Sequence, residues 1–217
     1  MRPPPELKRR ILARVRQLPS PARRAGHLQR QLLMATGLLV PLALFIALGG
    51  VHPGLRPSSL IAETALGALL LAVSSSWVVL GGGKMLGRSR FALLSMVAFW
   101  PVSLLFWKLG WSTLASSSLL PWPSRPGTVC FGFTLLLGLL PLLSLVWMRR
   151  RSDPTHPVSL GAALGIAAGS YAALLVDLWC PVGYRWHVVL GHVLPVLLVG
   201  LLGAVVGYFM LALRDEE

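Results

Sequence analysis

The chain has 217 residues, 55% of them hydrophobic and only 12% charged. A soluble domain carries about 25% charged residues, so the composition excludes an ordinary water-soluble globule and points to a polytopic membrane protein. Twenty Lys and Arg oppose seven Asp and Glu, a formal charge of +13; such an excess suits nucleic acid or the cytoplasmic loops of a membrane protein, and the positions of the cations decide between them.

The first element is a basic tail, residues 1–30. Within it ELKRRILARVRQL, residues 6–18, places Leu7, Ile11, Val15 and Leu18 at steps of four, four and three, one face of an amphipathic helix that Pro19 and Pro21 end. Such a helix can lie on anionic headgroups or dock a cytoplasmic partner. The first apolar run follows this tail with no small-residue cleavage site behind it, so it is expected to stay as a helix and not to be removed as a signal peptide.

Six apolar segments follow, roughly 31–50, 59–80, 91–109, 128–147, 158–180 and 187–213. Each is close to the roughly 20 residues that cross a hydrocarbon core, and none alternates with period two as a barrel strand does. The expected fold is all-α, a six-helix transmembrane bundle over residues 31–213 with a short C-terminus at 214–217. Between segments two and three, GGGKMLGRSR sets three glycines beside a lysine, but GxxxxGK[ST] is absent and no strand precedes it, so it reads as a turn and not as a phosphate loop. WSTLASSSLLPWPSRPG, residues 111–127, is rich in Ser, Pro and Trp and reads as an extracytoplasmic loop. Trp107, Trp111, Trp122, Trp179 and Trp186 mark the same boundary, as an aromatic belt does. Gly161, Gly165 and Gly169 in segment five, and Gly200, Gly203 and Gly207 in segment six, form small-residue stripes for close helix packing. Pro101, Pro141 and Pro195 are expected to kink their helices.

Sixteen of the twenty cations fall in the tail, the 81–90 turn, the 148–157 loop and the C-terminus, while only Arg56, Lys108, Arg125 and Arg185 fall on the other side. This bias places both termini in the cytoplasm. The basic charge is then topological, and direct nucleic-acid binding is not expected.

The chemistry-bearing residues gather at the outer level. Cys130 lies in the first turn of helix four and Cys180 ends helix five, so opposite helix directions bring both to one depth. A disulfide is permitted there, and so is a bound heavy metal. Asp177 lies one turn below Cys180, and His52 and Glu63 stand near the same level. His187 begins helix six. His192 follows five residues later, which in an α-helix is a turn of about 140°, so the two imidazoles are not expected to share a face. Cys, His and carboxylate together can ligate a transition metal, although no CxxC and no standard zinc spacing is present. The alternatives differ in class. A quinone-linked thiol oxidoreductase wants a CxxC or two cysteine pairs. A metal- or haem-binding redox protein wants paired histidines on facing helices. A transporter wants an inverted repeat or unwound helices.

The residues also carry a likeness. A cysteine opens helix four, then come RRRSDPTHPVSLGAALGIAAG, a Cys-Pro pair (Cys180, Pro181) closing helix five, and a final Gly-rich helix. In this order the chain resembles the NrsF-type negative regulators of bacterial extracytoplasmic-function sigma factors, the anti-sigma-F factors, over most of its length. The resemblance implies a multi-pass protein of the bacterial inner membrane, a regulator with no enzymatic turnover, that holds an extracytoplasmic-function sigma factor inactive. It implies that Cys130 and Cys180 sense heavy metal or oxidant, and that the tail around Leu7, Ile11, Val15 and Leu18 contacts the sigma factor. The chain departs from the pattern in its strongly basic tail and in His187 and His192 after the Cys-Pro pair, which leaves these histidines, with Asp177, as metal-ligating or supporting groups.

Overall fold

The computed structural model describes residues 23–50, 89–112, 125–150, 155–180 and 185–211, together with Val182 and most of 62–73. The tail face of Leu7, Ile11, Val15 and Leu18, the outer loop at 113–124 and the C-terminus at 214–217 lie outside the described residues. The described residues form helices and no strand. They are α1 (Arg23–Ala47), α2 (Ala62–Leu71), α3 (Arg90–Ser112), α4 (Arg125–Met148), α5 (Pro157–Trp179) and α6 (Arg185–Met210). Four of them are long and apolar enough to cross a membrane, over Arg90–Trp107, Gly127–Met148, Pro157–Trp179 and Arg185–Met210. The apolar parts of α1 and α2, Gln31–Ala47 and Ala62–Leu71, are shorter.

The centre of the bundle is α5. Its sequence is apolar all round, which suits a helix buried on every side, and Leu160 to Asp177 is buried along nearly its whole length. Its main partner is α6. A Cβ placed on Gly161 would stand 2.7 Å from the Cα of Gly207, and one on Gly165 would stand 2.8 Å from the Cα of Gly200. The two backbones therefore touch, and the small-residue stripes do what their spacing led us to expect. On the other side of α5 lies α4, where a Cβ on Gly138 would meet the Cα of Gly169 at 3.4 Å. The outward faces keep large apolar side chains, including Phe91, Phe99 and Phe106 on α3 and Leu201 and Phe209 on α6. An apolar exterior of this kind is compatible with a lipid surround.

One polar tie crosses the apolar packing. The hydroxyl of Tyr171 on α5 donates to the carbonyl of Leu38 on α1 at 2.8 Å. Tyr171→Phe should lower stability by about 1 kcal/mol, the usual net worth of such a bond, as read from detergent-dependent unfolding of the solubilised protein.

The last helix is not regular. Val189–Val193 forms a π-helical turn, closed by the Leu194 N–H donating to the carbonyl of Val189. A proline lies two residues beyond the turn. Pro195 has no N–H for the carbonyl of Gly191, and in an ordinary α turn its ring would collide with that carbonyl. Widening the preceding turn to i→i+5 removes the conflict.

Candidate metal centre

Three elements converge at one end of the bundle. Cys130 is fully buried near the start of α4; its carbonyl accepts a hydrogen bond from Thr134 Oγ1 at 2.9 Å. Cys180 caps α5. Its N–H donates to the carbonyl of Val176 at 2.9 Å, and its backbone then leaves the helix with φ −92° and ψ 111°. Extended backbone is what a following proline demands, so the Cys-Pro order in the sequence both ends α5 and turns Cys180 into the bundle. His187 and His192 come from the first turns of α6, and both are buried.

The expectation that the two histidines point apart is overturned. Their Nε2 atoms lie 3.3 Å apart. The π turn between them supplies the correction, because in an i→i+5 turn residues five apart stand one above the other. His187 Nε2 also lies 3.0 Å from Cys180 Sγ. The donor atoms of Cys130, Cys180, His187 and His192 all fall within 4.8 Å of one another, and all four residues are buried. These are the donors of a Cys₂His₂ set, and the group can hold a metal ion. Around a tetrahedral ion with Zn–S of about 2.3 Å and Zn–N of about 2.0–2.1 Å, neighbouring donors stand about 3.3–3.8 Å apart. The cluster is thus near the required size without any helix moving far.

Gly191 marks where α6 packs on α4. It sits in the π turn, and a Cβ there would lie 3.5 Å from the carbonyl oxygen of Gly127 and 3.7 Å from Cys130 Cβ. These are ordinary van der Waals distances, so the π turn packs on the start of α4 without a clash at this position. Asp177 is buried but is not one of the four clustered donors; it lines a small cavity beside them with His192, Trp107 and Val188. Glu63 is half-buried on α2, and His52 lies outside the described residues. The part that sequence reasoning missed is the π turn. The signal available was Pro195, which frees a carbonyl four residues ahead of it inside a helix.

The cluster is also far from the cations that follow α4. From Cys130 to Arg149, α4 and its end rise about 28 Å at 1.5 Å per residue. At that far end the Arg150 guanidinium sits 5.4 Å from the centre of the Trp147 ring. One helix length, close to a membrane thickness, separates the thiols from the arginines.

Comparison with known proteins gives the family. A family model described as NrsF, negative regulator of sigma F, matches residues 12–212. The chain belongs to the NrsF family. The matched range contains every member of the Cys/His cluster. This NrsF-family chain is also 37% identical over 83 residues to the anti-sigma-F factor NrsF of Caulobacter vibrioides (strain NA1000 / CB15N), an alignment covering 38% of each protein. The alignment therefore spans well under half the length of that curated relative. No solved structure matches.

Proposed function

We propose that this NrsF-family chain is a six-span anti-sigma factor of the bacterial inner membrane, with both termini in the cytoplasm, that sequesters an extracytoplasmic-function sigma factor and releases it when Cys130 and Cys180 meet heavy metal or oxidant. The observation that carries the reading is the family match over residues 12–212. The cation bias supports the orientation. The buried thiols at the opposite end of α4 from the arginines support a sensor on the outer side. The tail face of Leu7, Ile11, Val15 and Leu18 is the cytoplasmic surface offered to the sigma factor. The protein turns over no substrate and contacts no nucleic acid directly.

The physics of such a switch is simple. Cys130 opens α4 and Cys180 closes α5, and the same two helices are joined on the inner side through residues 149–156. New bonding between the outer ends moves the helices against each other, and packed helices pass on discrete shifts. Taking the sigma factor from 1:99 free to 99:1 free needs about 5.5 kcal/mol of differential affinity. A disulfide or a metal–thiolate site is on that scale.

The alternative is a metal- or haem-binding redox protein built on the same cluster. Two axial imidazoles must stand on opposite sides of a haem iron, whereas His187 and His192 stand on one side with their Nε2 atoms 3.3 Å apart. The arrangement favours a bare metal ion over haem.

The test is co-purification. Untreated wild type, solubilised whole, should retain a sigma factor and lose it on treatment with cadmium or peroxide. Cys130→Ser/Cys180→Ser should retain it under both treatments. If no sigma factor is held under any condition, the anti-sigma reading fails.

A further inference from the structure

We propose that Cys130, Cys180, His187 and His192 form one closed, four-ligand tetrahedral site for a borderline-to-soft divalent cation of the zinc and cadmium class, assembled by the π turn of α6. The proposal deepens the sensing reading at the same site: it adds two imidazole ligands to the two thiols and names the chemistry of the ligand. Whether the ion binds does not depend on the sigma factor.

Four observations converge. The donor types are two sulfurs and two imidazole nitrogens, a set that selects zinc-like ions in tetrahedral geometry and has no place for magnesium or calcium, which need several oxygens. All four residues are buried, and burial of two histidines and two cysteines at one point in an otherwise apolar bundle is costly unless they satisfy one another or an ion. The donors already stand within 4.8 Å of one another, with 3.0 and 3.3 Å between adjacent pairs, close to tetrahedral edges of about 3.3–3.8 Å. They also come from three different elements: the start of α4, the end of α5 and the start of α6. An ion here pins three helix ends at once, where a two-thiol site would join only two. With four protein ligands the site has no open position, which is the form of structural and regulatory zinc sites and not of catalytic ones.

The π turn is what makes the site four-coordinate. In a regular α-helix His187 and His192 diverge by about 140°. Gly191 lies in the wider turn, in contact with the start of α4 beside Cys130, and the second imidazole reaches the ion only through this irregularity.

The experiment uses the full chain in detergent, reduced and stripped with a chelator, with Co²⁺ as the optical probe. Wild type should take up about one Co²⁺ per chain, give the intense visible bands of a tetrahedral thiolate site, and lose them to Zn²⁺ but not to Mg²⁺. His187→Gln and His192→Gln should each weaken binding by at least about 100-fold, because loss of a ligand exceeds the tenfold to hundredfold cost of losing a ligand's supporting partner. Zinc-edge X-ray absorption of wild type answers the same question without a variant: two sulfurs at about 2.3 Å and two imidazole nitrogens at about 2.0–2.1 Å are expected. Failure of wild type to bind Co²⁺, unchanged affinity in both well-folded histidine variants, or oxygen in place of imidazole in the absorption spectrum each overturns the four-ligand site. These results are independent of sigma-factor retention, so failure of the metal site and failure of the anti-sigma reading are told apart.

Discussion

Gly165→Val is expected to cost at least about 3 kcal/mol, the upper end for overpacking a filled site. A Cβ at Gly165 would stand 2.8 Å from the Cα of Gly200 and closer still to the carbonyl oxygen of Val199. Both neighbours are backbone, so no side chain can swing aside. The helices α5 and α6 must separate along the stripe that Gly161, Gly203 and Gly207 continue. In a membrane the attraction between helices is close packing, with no hydrophobic gain from leaving lipid, so a small separation loses much of it. Gly132→Val is the control: a Cβ there meets nothing within 4 Å, and its stability should stay within about 0.5 kcal/mol of wild type, as for other open surface positions. Tryptophan fluorescence during denaturing-detergent titration of the solubilised chains reads both. Equal stability of the two variants would remove α5–α6 contact as the axis of the bundle. The same loss should reach the metal centre, because α5 and α6 deliver three of its four donors, Cys180, His187 and His192.

The second large effect concerns register at the π turn. Deleting Leu190, a partly buried residue between the histidines, leaves the two imidazoles four apart. A regular α turn then brings residues four apart onto one face, so cobalt uptake should survive within about tenfold, below the cost of a lost ligand. Inserting one alanine after Leu190 leaves them six apart, which neither an α turn nor a π turn aligns. Uptake should then fall by about 100-fold or more, as in the histidine variants. A deletion that abolishes binding while an insertion preserves it would show that the π turn does not set the alignment. The contrast separates register from simple disturbance of the helix, since both variants change its length by one residue.

The sequence by itself determined the class and the plan. Apolar runs of membrane length without period two leave only helices, because backbone groups in lipid must bond within their own segment. Glycines every four residues in the fifth segment name a packing face, since only a bare Cα permits that approach. The Cys-Pro order told where α5 ends, because the residue before proline is driven out of the helical region. Cys130 and Cys180 could be placed at one level from helix direction alone. Periodicity could not tell which helix lies at the centre: α4, α5 and α6 are all apolar, and it is the match of two glycine stripes in space that buries α5.

The histidines mark the limit most clearly. The 140° divergence follows correctly from an α-helix, and it fails because one turn is wider. A single extra residue in a turn rotates everything beyond it by about 100°, and whether that residue is absorbed depends on Pro195, on Gly191 lying against Gly127 and Cys130, and on the whole of α6 being held by α5. Depth along a helix is a local property that the chain order fixes. Direction around it, at a place where the hydrogen-bond pattern changes, is decided by packing from three helices, and only the tertiary structure shows that His187 and His192 turn toward the same two thiols.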